Sequence, residues 1–137
     1  MNAPSINGRN KGAAFEREIA KELLLLTGVG FKRDLEQYRA ADHGDLIPDD
    51  PAWPFTLELK RYASGKSCLP AWQDQASKAA QAAGRIPVVI YKFNHAPIRC
   101  ALPLSALCPA MPADQWAEIS LQGLACLAAE KMARAAQ

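Results

Sequence analysis

Three residues in the middle of the chain have the types and spacing of a divalent-cation site. Glu58 and Lys60 are two residues apart in an alternating segment, so a strand would place both side chains on one face, with Cα atoms roughly 6.5–7 Å apart. Asp45 precedes them, before a proline-rich turn that can bring its carboxylate beside that of Glu58. Two adjacent carboxylates in a partly buried site repel each other, and a bound cation removes that repulsion.

The chemistry expected of this group is that of a hydrated hard cation. Oxygen ligands without soft ones favour Mg²⁺ or Mn²⁺ over zinc. A water on such an ion can become a nucleophile, and the ion can stabilise charge on a phosphate. Lys60 can orient or deprotonate that water, or neutralise a phosphodiester transition state. The structural alternative is a surface salt bridge between Glu58 and Lys60, with Asp45 as a turn residue.

The first element needed to build such a site is an amphipathic helix over residues 11–27. Its buried face is predicted from apolar residues at helical spacing, namely Phe15, Ile19, Leu23 and Leu26. Gly28 is a natural C-terminal stop for this helix. Glu16 lies beside the apolar stripe, so its carboxylate is expected at the edge of the buried face.

The rest of the chain alternates strands and helices. Strands are predicted over residues 31–38, 45–47, 55–60, 86–91, 98–102 and 116–119, and further helices over residues 70–83 and from Ser120 to about residue 135. A strand–helix–strand segment over residues 55–91 requires a parallel pair with a crossover helix. The expected class is therefore α/β, or α+β by another convention, with a central mixed sheet flanked by helices.

Composition and charge limit the classes of protein to consider. The 137 residues, half of them hydrophobic, suit one globular domain with a sizeable core. No apolar run approaches the roughly 20 residues of a membrane span, and the first residues lack a signal-peptide core, so a cytoplasmic protein without membrane contact is expected. Residues 59–99 carry seven Lys or Arg against Asp74 alone, which suits a polyanionic partner or, equally, a solvated surface.

Short motifs along the chain occur in the order of a known group of nucleases. They are Lys11-Gly12, Glu16-Arg17, Gly44-Asp45-Leu46-Ile47, Leu57-Glu58-Leu59-Lys60 and Gln75-Ala76. Over roughly residues 9–93 this order resembles the PD-(D/E)XK nuclease superfamily, and within it the Holliday-junction resolvases of archaea and phages. The resemblance implies a restriction-endonuclease-like core with the element order αβββαβ.

The resemblance implies a role for each motif residue at the metal. Asp45 and Glu58 would bind Mg²⁺, for which Mn²⁺ can substitute, with the backbone carbonyl of Leu59 as a further ligand. Glu16 would reach the ion directly or through water, so that three carboxylates share it. Lys60 would be the catalytic lysine.

Further residues are expected to support the active site or to contact DNA. By the same resemblance, Gln75 would support the site from the helix that follows the catalytic strand. The expected DNA contacts are Arg9, Lys11, Arg17, Arg39, Arg61 and Lys66. Lys66 equally suits a solvated loop end. Trp72 can stack on nucleic acid, although packing or a dimer contact is the favoured interpretation.

These expectations combine into one organisation and one function. Residues 1–10 are predicted to form a flexible basic arm and residues 11–137 a single nuclease domain, with a catalytic core over about 11–102 and a C-terminal strand and helix within 112–136. The predicted protein is a metal-dependent, structure-selective DNA endonuclease. It would act as a homodimer on branched DNA in recombination or repair, in a bacterial cell or phage-infected host. The alternatives are a catalytically silent DNA-binding module of the same fold, a nuclease for flaps, nicks or duplex sites, and a generic interaction protein.

Overall fold

The computed structural model describes residues 6–35 and 45–137, and side chains from Lys11 onward. The elements within these residues are α1 (Ile6–Thr27), β1 (Phe31–Arg33), β2 (Leu46–Pro48), β3 (Phe55–Tyr62), α2 (Pro70–Ala83), β4 (Ile86–Phe93), β5 (Arg99–Pro103), a single 3₁₀ turn (Leu104–Ala106), β6 (Trp116–Ile119) and α3 (Leu121–Ala135). The order of helices and strands is the one predicted from the sequence. No helix in this part of the chain is long and apolar enough to cross a membrane.

The strands form one mixed sheet whose spatial order is the chain order, from β1 to β6. β3 and β4 are parallel in register from Phe55 opposite Ile86 to Tyr62 opposite Phe93, and every other neighbouring pair is antiparallel. α2 is the crossover that a parallel pair requires. Its bounds follow local signals, because Pro70 is in the first turn and Gly84 ends the helix at a φ of 68°. The predicted α/β class with a central mixed sheet is confirmed.

Helices cover both faces of the sheet. α1 and α3 pack against one face, and α2 packs against the other. β3 alternates between these two environments: Phe55, Leu57 and Leu59 belong to the core beneath α1. Thr56, Glu58 and Lys60 therefore face the α2 side. A central strand thus presents polar side chains on the face that α2 covers, next to its antiparallel partner β2.

Several boundaries differ from the sequence prediction, and β3 and β4 each extend two residues further than predicted. α1 begins at Ile6, so residues 6–10 are helical and do not belong to an irregular arm. This extension is favourable because lengthening a helix costs less than nucleating one. The predicted second strand ends at residue 47, but Pro48 is the last residue of β2. Proline is tolerated at this position because the end of a strand needs no further N–H donor. β1 ends at Arg33, and Arg39 and the Arg9 side chain lie outside the described residues.

The C-terminal segment completes the sheet and its helical cover. β6 pairs with β5, and α3 buries Leu121, Leu124 and Ala128 against the core beneath α1. Ser120 begins α3 by accepting a hydrogen bond from the Gly123 N–H at 3.0 Å, as its predicted capping role requires.

We expect Ser120→Ala to lower the free energy of unfolding by about 1 kcal/mol, because the first turn of α3 loses its side-chain acceptor. Chemical denaturation of the purified protein measures this. Ser67→Ala, in an exposed loop, is the matched control and should leave stability unchanged. Equal stability of the two variants would show that the cap contributes nothing to folding.

Candidate active site

Asp45 is fixed at the junction of β2 and β3 by both its backbone and its side chain. Its N–H donates to the Leu57 carbonyl at 2.7 Å, and its carbonyl accepts from the Asp34 N–H at 3.0 Å. Its Oδ2 atom accepts a hydrogen bond from the Leu59 N–H at 2.6 Å. Because the side chain occupies a backbone donor of β3, the carboxylate is held directly against that strand, with only 7% of the residue exposed.

Glu58 is the second carboxyl group of the site, and it is only 4% exposed. Burial, then the charge of Asp45, raises the pKa of Glu58 to about 8. Burial also raises the pKa of Asp45, although the hydrogen bond from Leu59 opposes the shift. The side-chain interaction between the two carboxyl groups lowers the pKa of Asp45 and raises that of Glu58. At neutral pH the pair therefore carries about one proton instead of two full negative charges.

Lys60 is the cation closest in sequence to this pair, and α2 holds it in place. Its Nζ atom donates to the Gln75 Oε1 atom at 2.8 Å. Its positive charge favours the ionised forms of Asp45 and Glu58 and so lowers both of their pKa values. The structure thus brings together the aspartate, the glutamate, the lysine and the glutamine that the motifs singled out.

Glu16 approaches from α1 but does not complete a three-carboxylate cluster. Its Oε1 atom accepts a hydrogen bond from the Arg33 Nε atom at 2.6 Å, in a partly buried ion pair. The charge of Glu16 still raises the pKa of Asp45 and that of Glu58, so Glu16 is close enough to interact with both carboxyl groups. Among residues 6–35 and 45–137, no three His, Cys, Asp or Glu side chains are grouped closely enough to hold a metal ion by themselves.

The donor set suits a cation that keeps most of its own water. Asp45 and Glu58 are adjacent hard oxygen ligands, and the Glu58 Oε2 atom is buried without a hydrogen-bond donor from the described residues. The Leu59 N–H points to Asp45, and in an extended strand the carbonyl of the same residue points to the same edge. Two carboxylates and one carbonyl fit Mg²⁺, which binds few protein ligands and retains several waters.

A second group of polar side chains lies where β3 and β4 end. The Arg61 guanidinium donates to the Lys92 carbonyl at 3.4 Å and to the Asn94 Oδ1 atom at 2.8 Å. Lys11, from α1, donates to the same Asn94 oxygen at 3.4 Å. Arg17 and Lys66 are exposed elsewhere on the surface. Two of the predicted DNA contacts, Lys11 and Arg61, are therefore brought together, and Asn94 is what joins them.

Sequence reasoning missed Asn94 and Arg33. Asn94 directly follows the apolar strand β4, at the carboxyl end of a parallel pair, where binding residues often lie. That position was a usable signal. Arg33 gave no such signal, because its contact with Glu16 joins the separate elements α1 and β1.

Comparisons with known proteins identify a family for this chain and a solved structure with a similar fold. Residues 7–127 match the model of a family described as "Phage putative PDDEXK endonuclease". The structure is similar to that of the Holliday junction resolvase Hjc from the archaeal hyperthermophile Archaeoglobus fulgidus, with 17% identity, 86% of this chain and 98% of that chain covered, and a TM-score of 0.55. The sequence matches no curated protein. The structural likeness shows a shared fold, and the resemblance predicted from the motifs is confirmed.

The raised pKa of Glu58 predicts that the metal-free protein loses stability as pH rises from about 4.5 to about 8. Across that window the native state holds a proton that the unfolded state has released, so raising the pH favours unfolding. Glu58→Gln has no such proton. We expect its melting temperature to exceed that of the wild type by roughly 5 °C at pH 8.5 and by much less at pH 5.

Thermal unfolding in EDTA at several pH values measures this difference, and Glu18→Gln on the exposed side of α1 is the matched control. Added Mg²⁺ should raise the melting temperature of the wild type at pH 8.5 but not that of Glu58→Gln, because metal binding requires the ionised carboxylate. Parallel pH profiles for wild type and Glu58→Gln would contradict the assignment of the proton.

Proposed function

Because this chain belongs to the phage PDDEXK endonuclease family, we propose that it is a metal-dependent endonuclease that hydrolyses phosphodiester bonds in branched DNA. The observation that carries the proposal is the buried Asp45–Glu58 pair with Lys60 beside it. A surface salt bridge would not bury two carboxyl groups together, since their repulsion costs stability unless a proton or a cation offsets it.

The proposed cofactor is Mg²⁺, with Mn²⁺ able to substitute. Asp45, Glu58 and the Leu59 carbonyl would hold the ion, and Glu16 would reach it through water while it stays paired with Arg33. When bound, the cation supplies a water nucleophile and stabilises negative charge on the phosphate. Binding displaces the proton that Glu58 holds, so metal affinity increases as pH approaches about 8.

Lys60 acts on the phosphate or on the attacking water. An ammonium group has three N–H donors, and the bond to Gln75 uses one of them. The remaining donors can bind a non-bridging oxygen of the phosphate and offset the charge that develops there. Gln75 acts as a positioning residue, because its carbonyl oxygen fixes where Nζ lies.

The DNA backbone is proposed to follow the basic residues around this site. Lys11 and Arg61 converge on Asn94 at the carboxyl ends of β3 and β4, which suits a phosphate that accepts from both cations. Arg17 and Lys66 are exposed cations that can extend this path. Such contacts position the duplex without reading its sequence.

The preference for branched DNA is the finer part of the proposal. The likeness in fold to a Holliday junction resolvase and the phage origin of the family support it. A four-way junction has two equivalent strands to cut, so a symmetric homodimer is the expected assembly. We expect the protein to act in DNA recombination or repair in the cytoplasm of a bacterial cell or phage-infected host.

We expect Asp45→Asn and Glu58→Gln to lower the cleavage rate by about a thousandfold or more while DNA is still bound, because the cation loses a ligand. The measurement is a panel of four-way junction, flap, nicked, duplex and single-stranded DNA with Mg²⁺, Mn²⁺ or EDTA. Asp74→Asn, an exposed acid on α2, is the control and should cleave like the wild type.

The outcomes of this panel separate the alternatives. Equal cleavage by wild type and Asp45→Asn would overturn the proposed site. Salt-dependent binding without cleavage of any DNA form would favour the catalytically silent module. Cleavage of flaps, nicks or duplex in preference to junctions would keep the nuclease and reassign its substrate.

Arg61→Ala should weaken DNA binding roughly uniformly across sequences and reduce the slope of log Kd against log salt by about 1, because one phosphate contact is lost. Fluorescence anisotropy over a salt series measures both quantities. Arg134→Ala, on the exposed end of α3 where Arg134 pairs with Glu130, should change neither. An unchanged slope for Arg61→Ala would remove this residue from the DNA path.

A further inference from the structure

An open pocket of about 300 Å³ lies next to the proposed active site. It is bounded by the end of β3, the loop over residues 63–69 and the first turns of α2. Its lining includes Tyr62, Ser64, Lys66, Leu69, Trp72 and Phe93. Its size lies at the lower end of the range for small-ligand sites.

The pocket continues the row of functional groups along β3. Lys60 and Tyr62 are two residues apart on the strand, so their side chains leave the same face with Cα atoms roughly 6.5–7 Å apart. Glu58 is the next residue of this row in the other direction. A ligand in the pocket therefore lies beside any phosphate held at Lys60.

Aromatic rings form the pocket wall, and they are arranged as a stack that is open on one side. Tyr62 and Trp72 are parallel within 6°, with ring centroids 5.3 Å apart. Trp72 is 8% exposed and is fixed by further ring contacts with Tyr91 and Phe93. Tyr62 is 47% exposed. The buried ring thus supports an accessible one, which leaves aromatic surface available to a planar ligand.

The loop that closes the pocket is held against the same aromatic group. Gly65 lies so close to the Phe93 ring that a Cβ atom at this position has no room. Lys66 is the next residue and is exposed at the rim. Lys66 is the charged member of the lining, which contains no carboxylate. A negatively charged ligand can therefore enter without repulsion.

We propose that this pocket binds an unpaired nucleobase of the DNA strand whose phosphate lies at Lys60. The inference rests on the proposed nuclease function. Every base has a π face that stacks on aromatic side chains regardless of sequence, and the Lys66 ammonium suits the phosphate attached to that nucleotide. Unpaired bases occur in flaps and at frayed ends but not within a continuous duplex. The pocket thus selects DNA by its structure and not by its sequence.

The test compares binding to a blunt duplex with binding to the same duplex bearing a short single-stranded flap. All variants are made in the Asp45→Asn chain so that the DNA stays intact. We expect the parent protein to prefer the flap, and Tyr62→Leu to reduce that preference about tenfold through loss of base stacking. Tyr62→Phe keeps the ring and should retain the preference. Lys66→Ala should weaken binding to the flap DNA more than binding to the blunt duplex, because its ammonium is proposed to contact the phosphate of the unpaired nucleotide.

A second variant and a fluorescence measurement test whether the loss of flap preference comes from the pocket itself. Gly65→Ala forces the loop and the Phe93 ring apart, which changes the shape of the pocket, and should also reduce the flap preference. A 2-aminopurine base in the flap should lose fluorescence on binding to the parent protein, because it stacks on an aromatic ring, and should stay bright with Tyr62→Leu. Circular dichroism confirms that each variant is folded.

Three results would overturn the inference. One is an unchanged flap preference in Tyr62→Leu, and another is the absence of any flap preference in the parent protein. The third is a change of oligomeric state in Tyr62→Leu, measured by sedimentation equilibrium, which would make this face an interface between copies. The proposed function fails separately, since it requires the wild type to bind and cleave DNA whether or not it prefers unpaired bases.

Discussion

The proposed active site depends on two carboxyl groups that the backbone holds next to each other in a buried position. β2 and β3 pair at Leu46 and Leu57, and immediately beyond that pair the Asp45 carboxylate takes the Leu59 N–H as its donor. The Asp45 side chain therefore also helps to join β2 to β3. Glu58 is placed against it by the alternation of β3. This placement leaves the site with an electrostatic cost that a shared proton offsets in the absence of metal.

The parts of the fold that could be predicted from the sequence are those fixed by local patterns. The bounds of α2 follow from Pro70 and Gly84, and the start of α3 follows from Ser120. The alternation of β3 also predicted that Glu58 and Lys60 would share a face. The turn between β2 and β3 also predicts that these strands pair and bring Asp45 alongside Glu58. The structure pairs the two strands as expected.

The parts that could not be predicted depend on contacts between distant segments or on boundaries without a local signal. The Glu16 carboxylate is bound by Arg33, and the described residues hold no three-carboxylate cluster of the kind that the resemblance implied. Asn94 joins Lys11 to Arg61 across α1, β3 and β4. α1 also begins earlier than its apolar stripe indicated, because the residues that extend it contribute no hydrophobic periodicity.

α2 links two parts of the molecule that differ in chemistry. Trp72 and Gln75 are three residues apart on this helix, which is less than one turn. The former supports the aromatic wall, and the latter holds the ammonium of Lys60. Because less than one turn of a single helix carries both side chains, any displacement of α2 at this point moves the aromatic wall and the partner of Lys60 together.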